Sequence, residues 1–271
     1  MALPIWFRWL GVAGIELGAN DQILVIDPFF TRPPIWRMWF GRVHPNRSLI
    51  AKKIQRCHFV LVTHAHWDHV MDVPEVVRHT GATAFGSPNA YQLLVALGVP
   101  EEQIHKIGGG DKLLLGEFEV EVLPAEHRKT PIDRFINGPL PANLLPPLRL
   151  RDYRMDHCFS FLVHISEYRL LCGEQPVPAD VLFAVPLNTL PYYESLLRHV
   201  QPQAIIPIHW DDPFRPLSKP VRPMFKLPAW AIPPLQRMDP SEFKQEIEEI
   251  APETTVLIPE MFRTYTLSHL M

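Results

Sequence analysis

The sequence predicts an α/β fold in which two mixed β-sheets lie between outer layers of helices. Strand-like segments come in two successive groups, and helical segments are interleaved with both. The apolar run at residues 59–63 shows no alternation, which is typical of a strand covered on both faces. Residues 117–122 alternate strictly between glutamate and apolar side chains, which indicates a strand with one face in water. We expect the 271 residues to form a single domain, residues 1–271.

The first group of elements opens with short apolar runs separated by Gly11 and by a turn at residues 18–21. The predicted strands of this group lie at 6–10, 14–17, 23–26, 59–63 and 83–86. One helix is predicted to begin at Asp72, with Glu75 at capping-box spacing, and to end at Gly81. A second helix at 89–97 follows Ser87, which we expect to be its N-cap.

A run of strands joined by glycine-rich turns follows at 103–107, 112–115 and 117–123. Further strands are predicted at 159–164, 169–172, 181–185, 204–208 and 255–258. Helices are predicted at 191–199 and after Asp239, where Phe243, Ile247 and Ile250 share one face.

Thirty prolines, about 11% of the chain, are the main compositional anomaly. They cluster near residues 28–45, 131–147 and 213–240, and we interpret these stretches as irregular loop insertions in the domain. Two of the loops carry apolar side chains that either pack on the body of the protein or line an apolar substrate pocket. These side chains are Phe29, Phe30, Trp36, Met38, Trp39, Phe40, Met224, Phe225, Trp230 and Ile232.

Charge and cysteine content exclude several classes of protein. The net charge of −3 gives no broad attraction to nucleic acid, so we expect no nucleic-acid partner. Three cysteines cannot form a paired disulfide framework, which favours a reducing compartment. The N-terminus lacks a signal-peptide core, and no stretch approaches the roughly 20 apolar residues of a membrane span. We therefore expect a cytoplasmic protein without a transmembrane segment.

The most informative motif is His64-Ala65-His66-Trp67-Asp68-His69, at the carboxyl end of the predicted strand 59–63. Neutral imidazoles and carboxylates are the ligands that zinc and manganese take in proteins. Four such groups at the end of a buried strand indicate a metal site. Three further candidates also follow predicted strands, where side chains project beyond the sheet: His127, Glu174 and His209.

On the basis of this motif and the three later residues, the chain resembles the metallo-β-lactamase superfamily over nearly its whole length. The His-x-His-x-Asp-His motif, a later histidine, an acidic residue after glycine and a final strand-end histidine occur in family order. Trp67, the continuation at residues 70–72 and the ending at residues 208–210 resemble one branch most. That branch holds ascorbate-6-phosphate lactonase-like proteins and N-acyl-phosphatidylethanolamine phospholipase D. The resemblance implies an αββα sandwich and two divalent metal ions, zinc in the first place, with manganese or iron as alternatives.

The resemblance also implies a ligand set. His64, His66 and His127 would hold the first ion, and Asp68, His69 and His209 the second. Glu174 stands where the family has an aspartate that bridges both ions. Its extra methylene leaves three outcomes open: the backbone retreats and Glu174 bridges, Glu174 binds one ion, or it turns away and weakens the second site.

Two other residues are candidates for roles beside the metals. His157 lies where the family often has a histidine, so it is either a catalytic contact to substrate or ligand, or a hydrogen-bonded loop residue. Asp27 could hold a ligating imidazole or simply form a turn with Pro28. Basic residues near the second proline-rich loop are either substrate contacts or solvated charges. They are Lys129, Arg134, Arg149, Arg151 and Arg154.

These features predict a metal-dependent hydrolase acting on a phosphodiester, a lactone or a related ester. Asp68 would be catalytic as well as a ligand, because it can accept a hydrogen bond from the attacking water. The expected partner is a small-molecule substrate, amphiphilic or phosphate-bearing, and a homo-oligomer is compatible with the sequence. The alternative is a metal-binding or sensor-like protein whose dinuclear site is weakened by Glu174.

Overall fold

The structure, a computed structural model, describes residues 4–38, 40–128, 133–226 and 237–270. Expectations for Trp39, Lys129, Trp230 and Ile232 fall outside these residues. The described strands are β1 (Trp6–Gly11), β2 (Gly14–Ala19), β3 (Gln22–Ile26), β4 (Phe59–Leu61), β5 (Thr83–Gly86), β6 (Ile104–Lys106), β7 (Lys112–Leu115), β8 (Phe118–Ala125), β9 (Cys158–Ile165), β10 (Tyr168–Cys172), β11 (Val181–Ala184), β12 (Ala204–Pro207), β13 (Thr255–Val256) and β14 (Thr264–Thr266).

The described α-helices are α1 (Arg47–Lys53), α2 (Trp67–Val70), α3 (Val73–Thr80), α4 (Pro88–Ala96), α5 (Asp133–Ile136), α6 (Leu190–Val200) and α7 (Pro240–Ile250). Short 3-10 helices lie at Ile35–Met38, Glu101–Gln103, Leu150–Asp152 and Leu267–His269. Within these ranges no helix is both long and apolar enough to cross a membrane.

The strands form two mixed sheets, each with seven strands, an antiparallel part and a parallel part. The first has the order β14-β1-β2-β3-β4-β5-β6, and the second has the order β13-β12-β11-β10-β9-β8-β7. In the first, β14 to β3 pair antiparallel and β3 to β6 parallel. In the second, β7 to β10 pair antiparallel and β10 to β13 parallel. The parallel strands of both sheets send their carboxyl ends toward one edge of the sandwich.

Three apolar layers hold the sandwich together. The central layer joins the facing sides of the two sheets, and β8 contributes Phe118, Val120 and Val122 to it while Glu119 is exposed. Helices α1, α3 and α4 pack on the outer side of the first sheet. Helices α6 and α7 pack on the outer side of the second. The predicted α/β sandwich with two mixed sheets between helical layers is confirmed.

Two of the predicted helix ends, at Ser87 and Gly81, agree with the structure, and a third, at Asp72, does not. Ser87 caps α4 by accepting the Ala90 N–H, and Gly81 ends α3 with φ of +76°. The capping box predicted for Asp72 and Glu75 is wrong, since the Asp72 side chain makes no cap hydrogen bond. Its carboxylate instead accepts the Phe30 N–H at 2.6 Å. This contact fastens the first proline-rich loop to the start of α3.

The two sheets meet at the carboxyl end of β4. The Phe159 N–H donates to the Thr63 carbonyl at 2.9 Å, and His64 forms an isolated bridge with Cys158. The His64–His69 motif therefore begins where β4 touches the start of β9, and it lies at the shared edge of both sheets.

Candidate metal centre

Six of the seven predicted ligands form two compact groups. One consists of His64, His66 and His127, and its donor atoms lie within 4.8 Å of one another. The other consists of Asp68, His69 and His209 and meets the same limit. The ring centroids of His64 and His69 are 3.8 Å apart, so the two groups adjoin.

The fold explains how residues distant in sequence converge. His64 and His66 follow β4, and Asp68 and His69 lie on the single turn α2. His127 follows β8, and His209 follows β12, so both reach the same edge from the second sheet. His209 has a φ of +56°, a left-handed conformation that non-glycine residues adopt only when their surroundings enforce it.

Hydrogen bonds on the far side of the rings orient three of the imidazoles. Asp27, which is fully buried, accepts from His69 Nδ1 at 2.7 Å. The carboxylate also accepts the Thr63 hydroxyl at 2.5 Å, which leaves the Thr63 oxygen to accept from His64 Nδ1 at 3.0 Å. Asn137 Oδ1 lies 2.9 Å from His66 Nε2. Each contact fixes one ring nitrogen and directs the other toward the centre of the site.

The electrostatics suit cation ligands. Burial lowers the pKa of His64 well below its usual range, and that of His66 is also lowered, mainly by burial. Burial and the neighbouring imidazoles lower the pKa of His127 to about 4. Burial works against an ionised Asp68, but His69 and His209 outweigh it and lower the pKa of that carboxyl. Burial likewise opposes protonation of His69, yet Asp27 and Asp68 raise the pKa of its ring.

The donor set fits divalent cations. His64 Nε2, His127 Nδ1 and His209 Nδ1 are buried and have no hydrogen-bond partner among the described residues. Unpartnered buried polar atoms cost free energy, and a cation that takes their lone pairs removes that cost. Three imidazoles in one group, and two with a carboxylate in the other, match the nitrogen and oxygen preferences of zinc, manganese and iron.

Glu174 belongs to neither of the two groups found among the described residues. Gly173, with φ of +125°, turns the chain after β10. The Glu174 carboxylate then accepts the Val185 N–H at 2.9 Å and the Asn188 side-chain amide at 2.7 Å. Burial raises the pKa of Glu174 to about 6. In this arrangement the residue holds the loop after β11.

His157 also lies outside both groups. Its side chain is 61% exposed, and Nδ1 lies 3.3 Å from an Asp156 carboxylate oxygen. The ring stacks near Phe159, with centroids 6.1 Å apart. It is therefore a surface residue at the start of β9.

Several residues around the site were not predicted from the sequence. Thr63 and Asn137 orient imidazoles, and Val12 accepts the His209 N–H through its carbonyl at 2.8 Å. Asp211 accepts the Val12 N–H at 2.7 Å and pairs with Arg32 at 2.6 Å. Thr63 precedes the candidate ligand His64, and Asp211 lies two residues after the candidate ligand His209, so both could have been suspected from the sequence. Asn137, Val12 and Arg32 carry no such signal.

The sequence was compared with protein families and with curated proteins. Residues 22–141 match the sequence model described as "Beta-lactamase superfamily domain". A UPF0173 metal-dependent hydrolase of Caldivirga maquilingensis is 25% identical over 93% of this chain and 94% of its own length. The chain is therefore similar to the beta-lactamase superfamily over residues 22–141, and to a metal-dependent hydrolase over most of its length.

Solved structures show the same fold. Igni18, described as a novel metallo hydrolase from Ignicoccus hospitalis, superposes with a TM-score of 0.65 at 18% identity, covering 98% of this chain and 99% of its own. CmlA from Streptomyces venezuelae, described as a diiron beta-hydroxylase, gives a TM-score of 0.62 at 14% identity. That match covers 97% of this chain and 54% of CmlA.

Asp27→Asn should weaken metal binding by about 10- to 100-fold, because the residue that orients His69 loses its charge. Equilibrium dialysis against zinc would measure this, with Asp21→Asn, on the exposed turn after β2, as the control. Unchanged affinity in Asp27→Asn would show that the His69 contact does not orient the ligand.

The acid stability of the metal-free protein should depend on His127. Its pKa is about 4 in the folded chain against an ordinary value of 6.5, so the unfolded chain binds more protons between these values. Stability should therefore fall as the pH drops through this window, by up to about 1.4 kcal/mol per pH unit for each proton involved. Urea unfolding between these limits should show a shallower pH dependence for His127→Ala than for the wild type. Equal slopes would contradict the assignment.

Glu174→Gln should retain the wild-type metal content, since the glutamine oxygen can still accept the Val185 N–H. Asp68→Asn, a change of the same kind within a donor group, should lose affinity by more than about 100-fold. Dialysis with elemental analysis distinguishes the two variants. Loss of an ion from Glu174→Gln would instead identify Glu174 as a ligand.

Proposed function

We propose that this chain is a metal-dependent hydrolase that binds two divalent cations and cleaves a phosphodiester, a lactone or a related ester. The observation that carries the proposal is the pair of adjoining donor groups, each with three groups able to bind one cation. The names of the sequence relatives, metal-dependent hydrolases, support the same reaction class. The resemblance to lactonase-like proteins and to a phospholipase D makes lactones and phosphodiesters the substrates to test.

Bound cations in such a centre supply a water of lowered pKa and polarise the substrate oxygen under attack. The protein contributes orientation and charge. Asp68 is ionised at neutral pH because His69 and His209 lower its pKa, so it can accept a hydrogen bond from the attacking water. Asp27, Thr63 and Asn137 keep the imidazole rings directed toward the centre. His157, exposed beside the His64–Cys158 bridge, would contact the substrate.

Zinc is the cation that we propose for both groups, with manganese or iron as alternatives. Histidine-rich donor sets accept all three metals, and occupancy follows availability. The likeness to a protein described as a diiron beta-hydroxylase is a reason to include iron in the test.

A second candidate function is metal-dependent sensing without turnover. The placement of Glu174 favours it, since the Val185 N–H and the Asn188 amide bind the two carboxylate oxygens. A centre without a carboxylate that bridges both ions would hold its second ion less firmly.

Metal analysis combined with turnover decides between the two. The purified protein would be stripped with a chelator and then reloaded separately with zinc, manganese and iron. Elemental analysis should give two ions per chain. Hydrolysis of bis(p-nitrophenyl) phosphate or of a simple lactone should disappear on stripping and return on reloading. Two ions without turnover of either substrate, or a single weakly held ion, would favour sensing.

A further inference from the structure

Two loop segments next to the donor groups expose large apolar side chains. Of the eight large hydrophobic residues that are exposed among the described parts of the chain, five lie on residues 31–46 and 133–155. We call these five the loop face: Ile35 (62% exposed), Trp36 (52%), Phe40 (69%), Phe135 (42%) and Leu145 (68%). Single exposed apolar residues are ordinary, but a concentration of them on one part of a surface marks an interaction site.

The two segments form one surface. The Arg42 guanidinium donates to the Pro147 carbonyl at 2.6 Å and also to the Leu145 carbonyl. The Val43 N–H donates to the Leu148 carbonyl at 2.9 Å. The 3-10 helix at Leu150–Asp152 contacts both the 3-10 helix at Ile35–Met38 and α5. The loop face therefore extends across both segments.

This surface adjoins the metal centre. Phe135 lies on α5, and Asn137 follows that helix directly. Asn137 is the residue whose oxygen lies 2.9 Å from His66 Nε2. A molecule bound at the loop face would thus lie beside the donor groups.

The charge of the two segments is opposite in sign to that of the whole chain. They contain seven arginines against Asp133 and Asp152, whereas the chain as a whole carries −3. Arg32 is buried in its pair with Asp211, and the Asp152 carboxylate accepts the Arg149 N–H. The other arginines of these segments are Arg37, Arg42, Arg134, Arg149, Arg151 and Arg154.

Two of these arginines lie against rings of the loop face. Arg37 lies 4.4 Å from the centre of the Trp36 ring, and Arg134 lies 4.5 Å from that of Phe135. Aromatic and aliphatic side chains mixed with arginines are the pattern of surfaces that lie in the head-group region of a bilayer. Arginines near such a surface are attracted to anionic lipids.

We propose that the loop face binds the surface of an anionic lipid bilayer, with its five apolar side chains among the head groups and the exposed arginines of the two segments on lipid phosphates. Self-association fits the charge less well, because a two-fold contact would place arginines of one copy against those of the other. The binding itself does not require the metal. Its consequence, delivery of an amphiphilic substrate to the centre, rests on the proposed function.

The test is sedimentation of the full chain with vesicles. One set contains equal parts of phosphatidylglycerol and phosphatidylcholine, and the other contains phosphatidylcholine alone. The protein should bind the anionic vesicles, and raising NaCl from about 0.05 M to about 0.5 M should weaken that binding. Failure to bind the anionic vesicles, or equal binding to both sets, would overturn the proposal.

Variants identify the surface. Trp36→Ser combined with Phe40→Ser should weaken binding by about tenfold or more. Leu114→Ser should not, although Leu114, on β7, is 82% exposed. Arg134→Ser with Arg151→Ser, both arginines of the second segment, should also weaken binding about tenfold, against no change for Arg56→Ser with Arg198→Ser. Equal loss in the test and control variants would count against the loop face.

Two further measurements distinguish membrane binding from self-association and from the proposed hydrolase activity. Sedimentation velocity without lipid should give the same mass for the wild type and for the Trp36/Phe40 variant. A dimer that only the wild type forms, without vesicle binding, would assign the face to self-association instead. Turnover of a water-soluble ester should be unchanged in the loop-face variants, so a failure of the membrane proposal leaves the hydrolase proposal intact.

Discussion

Replacing Asp211 by alanine should lower the free energy of unfolding by about 3–5 kcal/mol. The Asp211 carboxylate is fully buried and pairs at 2.6 Å with Arg32, whose side chain is only 4% exposed. It also accepts the Val12 N–H at 2.7 Å. The alanine variant would leave a guanidinium and a backbone N–H buried without this partner, and breaking one side of a buried pair is among the most destabilising single changes.

The same substitution should weaken the second donor group more than the first. The carbonyl of Val12 accepts the His209 N–H at 2.8 Å, and His209 itself has a left-handed backbone. Asp211 therefore fixes the backbone around His209, the candidate ligand, by holding Val12 in place. Gly11 leaves room for the Arg32 guanidinium, since a Cβ at that position would collide with it.

Urea unfolding of the metal-free protein gives the stability, and stepwise metal titration gives the ratio of the two affinities. Glu16→Ala is the matched control because Glu16, 3% exposed, pairs with Arg8 on the neighbouring strand β1. This variant should lose stability, to a smaller extent because Arg8 is 24% exposed, without changing the affinity ratio. Equal ratios in the Asp211 and Glu16 variants would show that Asp211 acts on stability alone.

Most of the fold could be predicted from hydrophobic periodicity, and most of the candidate metal-binding residues from their positions at strand ends. The alternation in β8 and the unbroken apolar run of β4 follow from which faces are covered, and that information is local. His127 and His209 were recognisable because each follows a strand. Short elements escaped prediction, since α1 buries only Ile50 and β14 has three residues.

Contacts between distant residues could not be predicted in this way. Asp72 has the sequence signature of a helix cap, yet the backbone of Phe30, 42 residues earlier, competes successfully for its carboxylate. Glu174 follows its strand as a ligand would, but the Val185 N–H and the Asn188 amide lie within its longer reach. Arg32 and Asp211 show no local pattern that would pair them. Each case is decided by tertiary neighbours that no periodicity encodes.

His127→Ala and His209→Ala should each remove one of the two ions and leave the other bound. Among the residues that the structure describes, His127 falls in the group with His64 and His66, and His209 falls in the group with Asp68 and His69. Loss of one of three protein ligands should cost more than the 10- to 100-fold in affinity typical of residues that merely orient a ligand. Turnover should disappear in both variants, because water activation and substrate polarisation in a two-metal centre use both ions.

Equilibrium dialysis with elemental analysis measures the stoichiometry, and the visible absorption of cobalt-loaded protein reports the ligand geometry without any turnover. The control is His199→Ala, because His199 on α6 is exposed and its ring bonds the Ser195 carbonyl of its own helix. It should keep two ions and an unchanged cobalt spectrum. If either ligand variant loses both ions together, the groups form one cooperative centre, and the assignment of one ion to each group is wrong.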